Sequence, residues 1–249
     1  MDLRLDEYAN LGSPLHRWEP RCKLAGLVAL MFAFSSVREL RLLPAMALVV
    51  GAIYALSRLS LAFLLTRLRL PGFFFLMVGV LLPFLSGQTI LSRIGPLALR
   101  EEGCLDLLLI AVKFVSILTT GLVLFGTTPF VTSIKAMRAL GLPPILADMT
   151  LLSYRYIHEI GGDLEAMEVA MRLRGFRGRH PRGLGVLASL AGSILVRSYE
   201  RADRVYRAMI LRGYNGPNRP SEDFQTRPGD WAGLLAALLV AIGFVIVAR

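Results

Sequence analysis

Apolar residues in this chain come in blocks. Long apolar runs occupy residues 24–37, 42–57, 70–86, 105–128 and 231–248. A bilayer crossing takes roughly 17–25 mostly apolar residues, so the last three runs are long enough as they stand. The first two are short and separated by Arg38-Glu39-Leu40-Arg41. They can still span if the flanking arginines extend to the headgroups. A further apolar stretch, 59–66, is short and bracketed by Arg58 and Arg67, and reads as interfacial. The pattern predicts an all-α polytopic membrane protein with about five transmembrane helices.

Between residues 129 and 228 the pattern changes to amphipathic and charged. Residues 129–140 read as an amphipathic helix stopped by Gly141 and the Pro143-Pro144 pair. Residues 144–160 read as a second helix broken at Gly161-Gly162, with Asp163 as N-cap of a third that runs to Arg174. Residues 175–183 form a basic turn containing Arg177, Arg179, His180 and Arg182, and 184–212 hold no proline and read as one long helix. On that helix Glu200 with Arg204 and Asp203 with Arg207 are i,i+4 pairs in the favourable order, each contributing about 0.2–0.5 kcal/mol.

Charge adds orientation. The formal net charge is +10 and 55% of residues are hydrophobic. Basic residues crowd the N-terminal arm, the second connection (Arg58, Arg67, Arg69) and the 129–228 segment. The first and third connections hold only Arg38 with Arg41 and Arg93 with Arg100. Such alternation places the N-terminus and the long segment in the cytoplasm and the C-terminus outside. So apolar a chain fits nucleic-acid binding poorly. The first 23 residues lack the apolar region and cleavage site of a signal peptide. Arg177, Arg179 and Arg182 suit anionic membrane lipid.

Candidate chemistry is sparse. Cys22 and Cys104 show no paired spacing, and His16, His158 and His180 lie far apart, so no metal ligation or cofactor is expected. There is no G-x-x-x-x-G-K-[ST] phrase, so ATP hydrolysis must come from another chain. Lys113 lies mid-span with Asp106 two turns earlier on the same face; an intramembrane charge marks either an ion path or a polar neighbour.

One phrase occurs twice. Ala170-Met171-Arg172-Leu173-Arg174-Gly175-Phe176 returns as Ala208-Met209-Ile210-Leu211-Arg212-Gly213-Tyr214. Helix termination explains part of it: Gly175 and Gly213 suit the left-handed position after a helix, with Met171 and Met209 facing Phe176 and Tyr214 in a Schellman stop. Ala170 with Arg174, and Ala208 with Arg212, are left over. Each i,i+4 pair shares one face, where Ala permits close approach and Arg offers a planar fork of donors. That combination points to docking.

The paired Ala-x-x-x-Arg-Gly phrase resembles the signatures of the transmembrane T components of energy-coupling factor (ECF) transporters. The N-terminal Asp6-Glu7-Tyr8-Ala9 and the run from Ser13-Pro14-Leu15-His16-Arg17-Trp18-Glu19-Pro20-Arg21-Cys22-Lys23 to Leu24 are similar to the cobalt/nickel CbiQ branch. Leu-His-x-x-x-Pro-Arg-x-Lys is also similar to vitamin-type T components. The resemblance implies a non-catalytic energy-coupling subunit of an ATP-driven cobalt or nickel importer in the bacterial or archaeal cytoplasmic membrane. Its partners would be two ABC-type ATPases and a metal-binding, substrate-binding membrane subunit. Arg174 and Arg212 would plug into the ATPases, with Ala170, Gly175, Ala208 and Gly213 allowing the fit. The implied divisions are a cytoplasmic arm 1–23, spans 24–128, a coupling region 129–228 and a last span 229–249. Other readings are a vitamin-type T component and, from another class, a membrane-embedded transferase.

Overall fold

The computed structural model describes residues 12–85, 90–94, 97–176, 183–214, 224 and 226–248. The Asp6-Glu7-Tyr8-Ala9 arm and the basic residues Arg177, Arg179, His180 and Arg182 lie outside them. In chain order the helices are α1 (Pro14–Arg17), α2 (Pro20–Ser36), a 3-10 turn (Leu40–Leu42), α3 (Leu43–Ser57) and α4 (Leu61–Leu85). An antiparallel hairpin of β1 (Ile90–Ile94) and β2 (Leu97–Arg100) follows. Then come α5 (Glu101–Gly126), α6 (Phe130–Ala139), α7 (Pro144–Leu173), α8 (Gly183–Leu211) and α9 (Pro228–Val247). The protein is helical, as the block pattern predicts, and the hairpin forms part of the third connection. Two compact units divide it: Leu5–Ala136 with Asp223–Arg249, and Met137–Glu222 with Met1–Arg4.

In the first unit five apolar helices stand where the five runs predict. Among the described residues three segments are long and apolar enough to cross a membrane: Leu40–Ser57, Leu105–Gly126 and Pro228–Val247. The second run qualifies because the 3-10 turn lengthens it. The third run belongs to α4, which also takes in most of the 59–66 stretch. That stretch is no separate piece: a single helix, α4, carries Arg67, Arg69 and Pro71 within it, and the Arg67 guanidinium lies 5.7 Å over the Phe63 ring.

The core of this unit lies where α2 packs on α9 and α5. Leu27, Phe34, Val37 and Met46 are buried with Leu124 and Phe244, and the Phe34 and Phe244 rings meet edge-to-face at 5.5 Å. Helices in lipid associate through close packing, which favours small residues at their contact. Gly26 fills that role, since a Cβ there would lie 3.2 Å from the Ala237 Cβ.

Two lysines lock α2 to α5. Lys23, buried in the first turn of α2, donates to the Thr127 carbonyl just beyond α5 at 3.1 Å. Lys113, within α5, donates to the Ser35 carbonyl in the last turn of α2 at 3.2 Å. Each ammonium therefore meets the carbonyl-rich, negative end of the other helix. Of the two roles open to Lys113, the structure supplies the polar neighbour.

In the second unit α7 is one unbroken helix through Gly161 and Gly162, contrary to the predicted break, and Asp163 is not an N-cap. Arg201 of α8 bridges the two glycines from outside the helix. Its guanidinium reaches Asp163 at 2.8 Å and Glu159 at 3.4 Å, one partner on either side of the glycines. The long helix predicted for 184–212 is present as α8, with Arg204–Glu200 at 3.8 Å and Arg207–Asp203 at 2.8 Å.

Candidate functional site

Three helices stop in the same way, and the comparison isolates what is special about two of them. In α7 the Phe176 amide donates to the Met171 carbonyl (3.1 Å) and the Gly175 amide to Arg172 (3.0 Å), with Gly175 at φ +86°. In α8 the Tyr214 amide donates to Met209 (3.0 Å) and the Gly213 amide to Ile210 (2.9 Å), with Gly213 at φ +84°. These are the 6→1 and 5→2 bonds of the Schellman motif, as the sequence predicts. The α6 end repeats them: Leu142 to Met137 (3.0 Å) and Gly141 to Arg138 (3.1 Å), with Gly141 at φ +116°.

The α6 sequence is Ala136-Met137-Arg138-Ala139-Leu140-Gly141. It shares Ala, Met and Gly with the repeated phrase but has Leu140 where the others have Arg174 and Arg212. Its Ala136 is fully buried, whereas Ala170 and Ala208 are exposed. Ala-Met-x-x-x-Gly is thus a helix stop, and the exposed Ala with Arg is what distinguishes the pair. All six predicted residues, Ala170, Arg174, Gly175, Ala208, Arg212 and Gly213, are exposed, while Met171 and Met209 are half-buried.

Sequence reasoning missed Leu173 and Leu211. They are 84% and 88% exposed, the two highest values among the described large hydrophobics. Each stands directly before its Arg and three residues after its Ala, on the same face. Helix termination has no need of Leu there, and its recurrence in both copies was the available signal. Each Leu gives its helix end exposed apolar area beside an Arg, a residue type enriched among interface hot spots.

The two faces sit far apart. Tyr214 donates its hydroxyl to Asp148 at 3.1 Å, and Arg201 meets Glu159 and Asp163, so α8 runs antiparallel to α7. In that register Arg212 lies near the start of α7 and Arg174 near its end, roughly 35 Å away at 1.5 Å per residue. The α8 end is tethered further: Asp148 also accepts from Arg138 at 3.0 Å. Desolvation raises the Tyr214 hydroxyl above its ordinary pKa, and the Asp148 hydrogen bond and charge add to the rise. The hydroxyl therefore stays a donor at neutral pH.

The N-terminal motif is structural in its described part. Glu19 caps α2 through the Cys22 amide (3.2 Å), and its own amide donates to Asp230 at 3.2 Å. The Trp18 indole donates to the Asp230 carbonyl at 3.1 Å, and Arg21 to the Phe224 carbonyl at 3.0 Å. With Lys23 on Thr127, this run joins the starts of α2 and α9 to the end of α5. Among the described residues no three His, Cys, Asp or Glu side chains lie together as metal ligands would.

Comparisons with known proteins agree with this architecture. Residues 12–222 match the CbiQ family, described as cobalt transport protein. The chain is 24% identical to the energy-coupling factor transporter transmembrane protein EcfT of Thermosediminibacter oceani, over 98% of this chain and 97% of that one. It is 28% identical to the nickel permease LarQ of Lactiplantibacillus plantarum, over 97% and 83%. It is 28% identical to the cobalt transport protein CbiQ of Rhodobacter capsulatus, over 76% and 78%. A match across most of a helical membrane chain carrying the paired Ala–Arg ends places this protein in the EcfT/CbiQ family of transmembrane T components of energy-coupling factor transporters.

Proposed function

We propose that this chain couples ATP hydrolysis by two partner ATPases to the import of cobalt or nickel through a metal-binding membrane subunit, and performs no catalysis itself. The observation that carries the reading is the pair of exposed Ala-x-x-Leu-Arg faces at the far ends of one antiparallel helix pair. Two equal faces about 35 Å apart suit two copies of one partner rather than a single site. On each, Arg174 or Arg212 supplies donors for carbonyls or carboxylates, Leu173 or Leu211 supplies apolar area, and Ala170 or Ala208 lets the partner close in. Gly175 and Gly213 stop each helix so that its end projects. Closure of the ATPases would draw on both ends at once, and the helix pair would pass the motion toward the spans. The cytoplasmic placement of 129–228, with the N-terminus inside and the C-terminus outside, follows from the loop charges. The metal assignment rests on the N-terminal motif together with the names of the CbiQ and LarQ relatives.

Replacing Arg174 and Arg212 together with Glu tests the coupling. Co-purification of the ATPases should be lost while membrane insertion is unchanged; normal assembly by the double variant would sink the assignment. Uptake of labelled cobalt and nickel against labelled vitamins by the reconstituted complex tests the substrate, and vitamin uptake alone would overturn the metal reading.

A further inference from the structure

A groove of about 1150 Å³ runs between α3 and α9, floored by Leu27 and Leu30 of α2. Its walls are apolar, with Leu48, Ala52 and Leu56 on one side and Gly233, Ala237 and Val240 on the other. Its mouth is not: Arg17, Arg58 and Arg227 line it, all exposed. We infer that the groove holds one anionic phospholipid, its phosphate among the three arginines and its acyl chains between α3 and α9.

Depth argues for a lipid over a protein helix. The lining runs from Arg58 back to Leu48 on α3 and from Arg227 on to Val240 on α9. At 1.5 Å per residue these are about 15–20 Å, close to one leaflet of a roughly 30 Å hydrocarbon core. A spanning partner helix would need a groove about twice as long. The mouth also lies at an interfacial level, marked by Trp18 with its indole on the Asp230 carbonyl.

Charge argues for an anionic headgroup. The carboxylate at the mouth, Asp230, is turned to two backbone amides, Glu19 at 3.2 Å and Arg227 at 2.9 Å. Among the described residues the ion pairs of this unit leave Arg17, Arg58 and Arg227 with no carboxylate partner. Basic pockets between spans are known to take anionic headgroups. Arg58 adds an independent mark. It is the one non-glycine residue at positive φ (54°) among the described residues, a conformation disfavoured for a side chain this large. Arg58 ends α3 in that conformation, at the rim of the groove.

The test uses the full chain purified in mild detergent and exposed to equal amounts of phosphatidylglycerol and phosphatidylcholine, with bound lipid read by native mass spectrometry. One phosphatidylglycerol should be retained preferentially. Arg17→Gln/Arg58→Gln/Arg227→Gln should lower its retention on the order of 100-fold, and the triple Lys variant should retain it. Arg58→Gly separates charge from folding: the melting temperature should hold or rise while retention falls about fivefold. Ala52→Trp, which leaves the charges and fills the groove, should also displace the lipid. Equal retention of the two lipids, retention unchanged in the triple Gln or Ala52→Trp variants, or displacement by soluble glycerol phosphate would overturn the proposal.

Discussion

Replacing Gly161 and Gly162 with Ala should stabilise α7 where the sequence pattern breaks it. Both glycines lie mid-helix, and a Cβ built on either meets nothing within 4 Å among the described residues, so the substitution carries no steric cost. Each Gly→Ala change in a helix interior is worth about 0.8–1.0 kcal/mol, so the pair should give about 1.6–2 kcal/mol. Local opening of the helix should then fall about 15–30-fold. Amide hydrogen exchange over residues 155–168 reads that directly. The Arg201 fork supplies less. Its partners Asp163 and Glu159 are 36% and 52% exposed, so solvent screening limits the fork to about 0.5–1 kcal/mol. Arg201→Ala alone should therefore speed exchange about two- to fivefold, and the alanine pair should more than offset it. Unchanged or faster exchange in Gly161→Ala/Gly162→Ala would refute the reasoning, because it would mean that α7 needs a bend that alanine denies.

Gly26→Ala should destabilise the α2–α9 contact by about 1–3 kcal/mol, since the rigid Ala237 Cβ only 3.2 Å away cannot swing aside; a thermal melt at or above wild type would contradict this. Lys23→Met should cost about 1–3 kcal/mol by leaving the Thr127 carbonyl without its buried donor, read as a lower melting temperature in the same detergent. Asp148→Asn should weaken the Arg138 contact by about 1.5–3 kcal/mol and raise hydrogen exchange at both the end of α8 and the start of α7; a change confined to one of them would argue against the tether. Because the folded Tyr214 pKa is raised, its contribution is complete below the ordinary tyrosine value of about 10 and is lost as pH rises through the folded value. Exchange at the α8 end should accordingly be flat through neutral pH and increase only in strong alkali.

The sequence made the apolar helices and the helix stops legible because both are local. Block hydropathy marks residues 231–248 without help, and Gly175 and Gly213 follow from backbone sterics alone. What stayed hidden depends on contacts between distant residues. Gly161-Gly162 reads as a break until Arg201 is placed beside it. Lys113 reads as a stray charge until the Ser35 carbonyl lies 3.2 Å from its ammonium. The exposed Leu173 and Leu211 needed no distant partner, only the question of why a helix end should carry an apolar residue that it does not bury.

The α6 stop shows how little separates a structural phrase from a candidate docking one. Ala136-Met137 and Gly141 make the same cap as the repeated motif, yet Ala136 is buried and Leu140 stands in the place of Arg. The two repeated ends in turn differ at two positions, Arg172 against Ile210 and Phe176 against Tyr214. Phe176 and Tyr214 occupy the same position after the glycine, but only Tyr214 can donate to Asp148. That bond fixes the α8 end to the start of α7, where Asp148 also holds Arg138. Under the proposed coupling, a pull on Arg212 therefore enters α7 at its first turns through Tyr214, and a pull on Arg174 enters it at its last. Both loads converge on one helix, whose middle is two glycines bridged by the Arg201 fork. Tyr214→Phe removes the Asp148 bond from the α8 end. It should leave ATPase binding at both faces intact while uncoupling hydrolysis from uptake, and undiminished uptake per ATP would remove the tether from the transmission path.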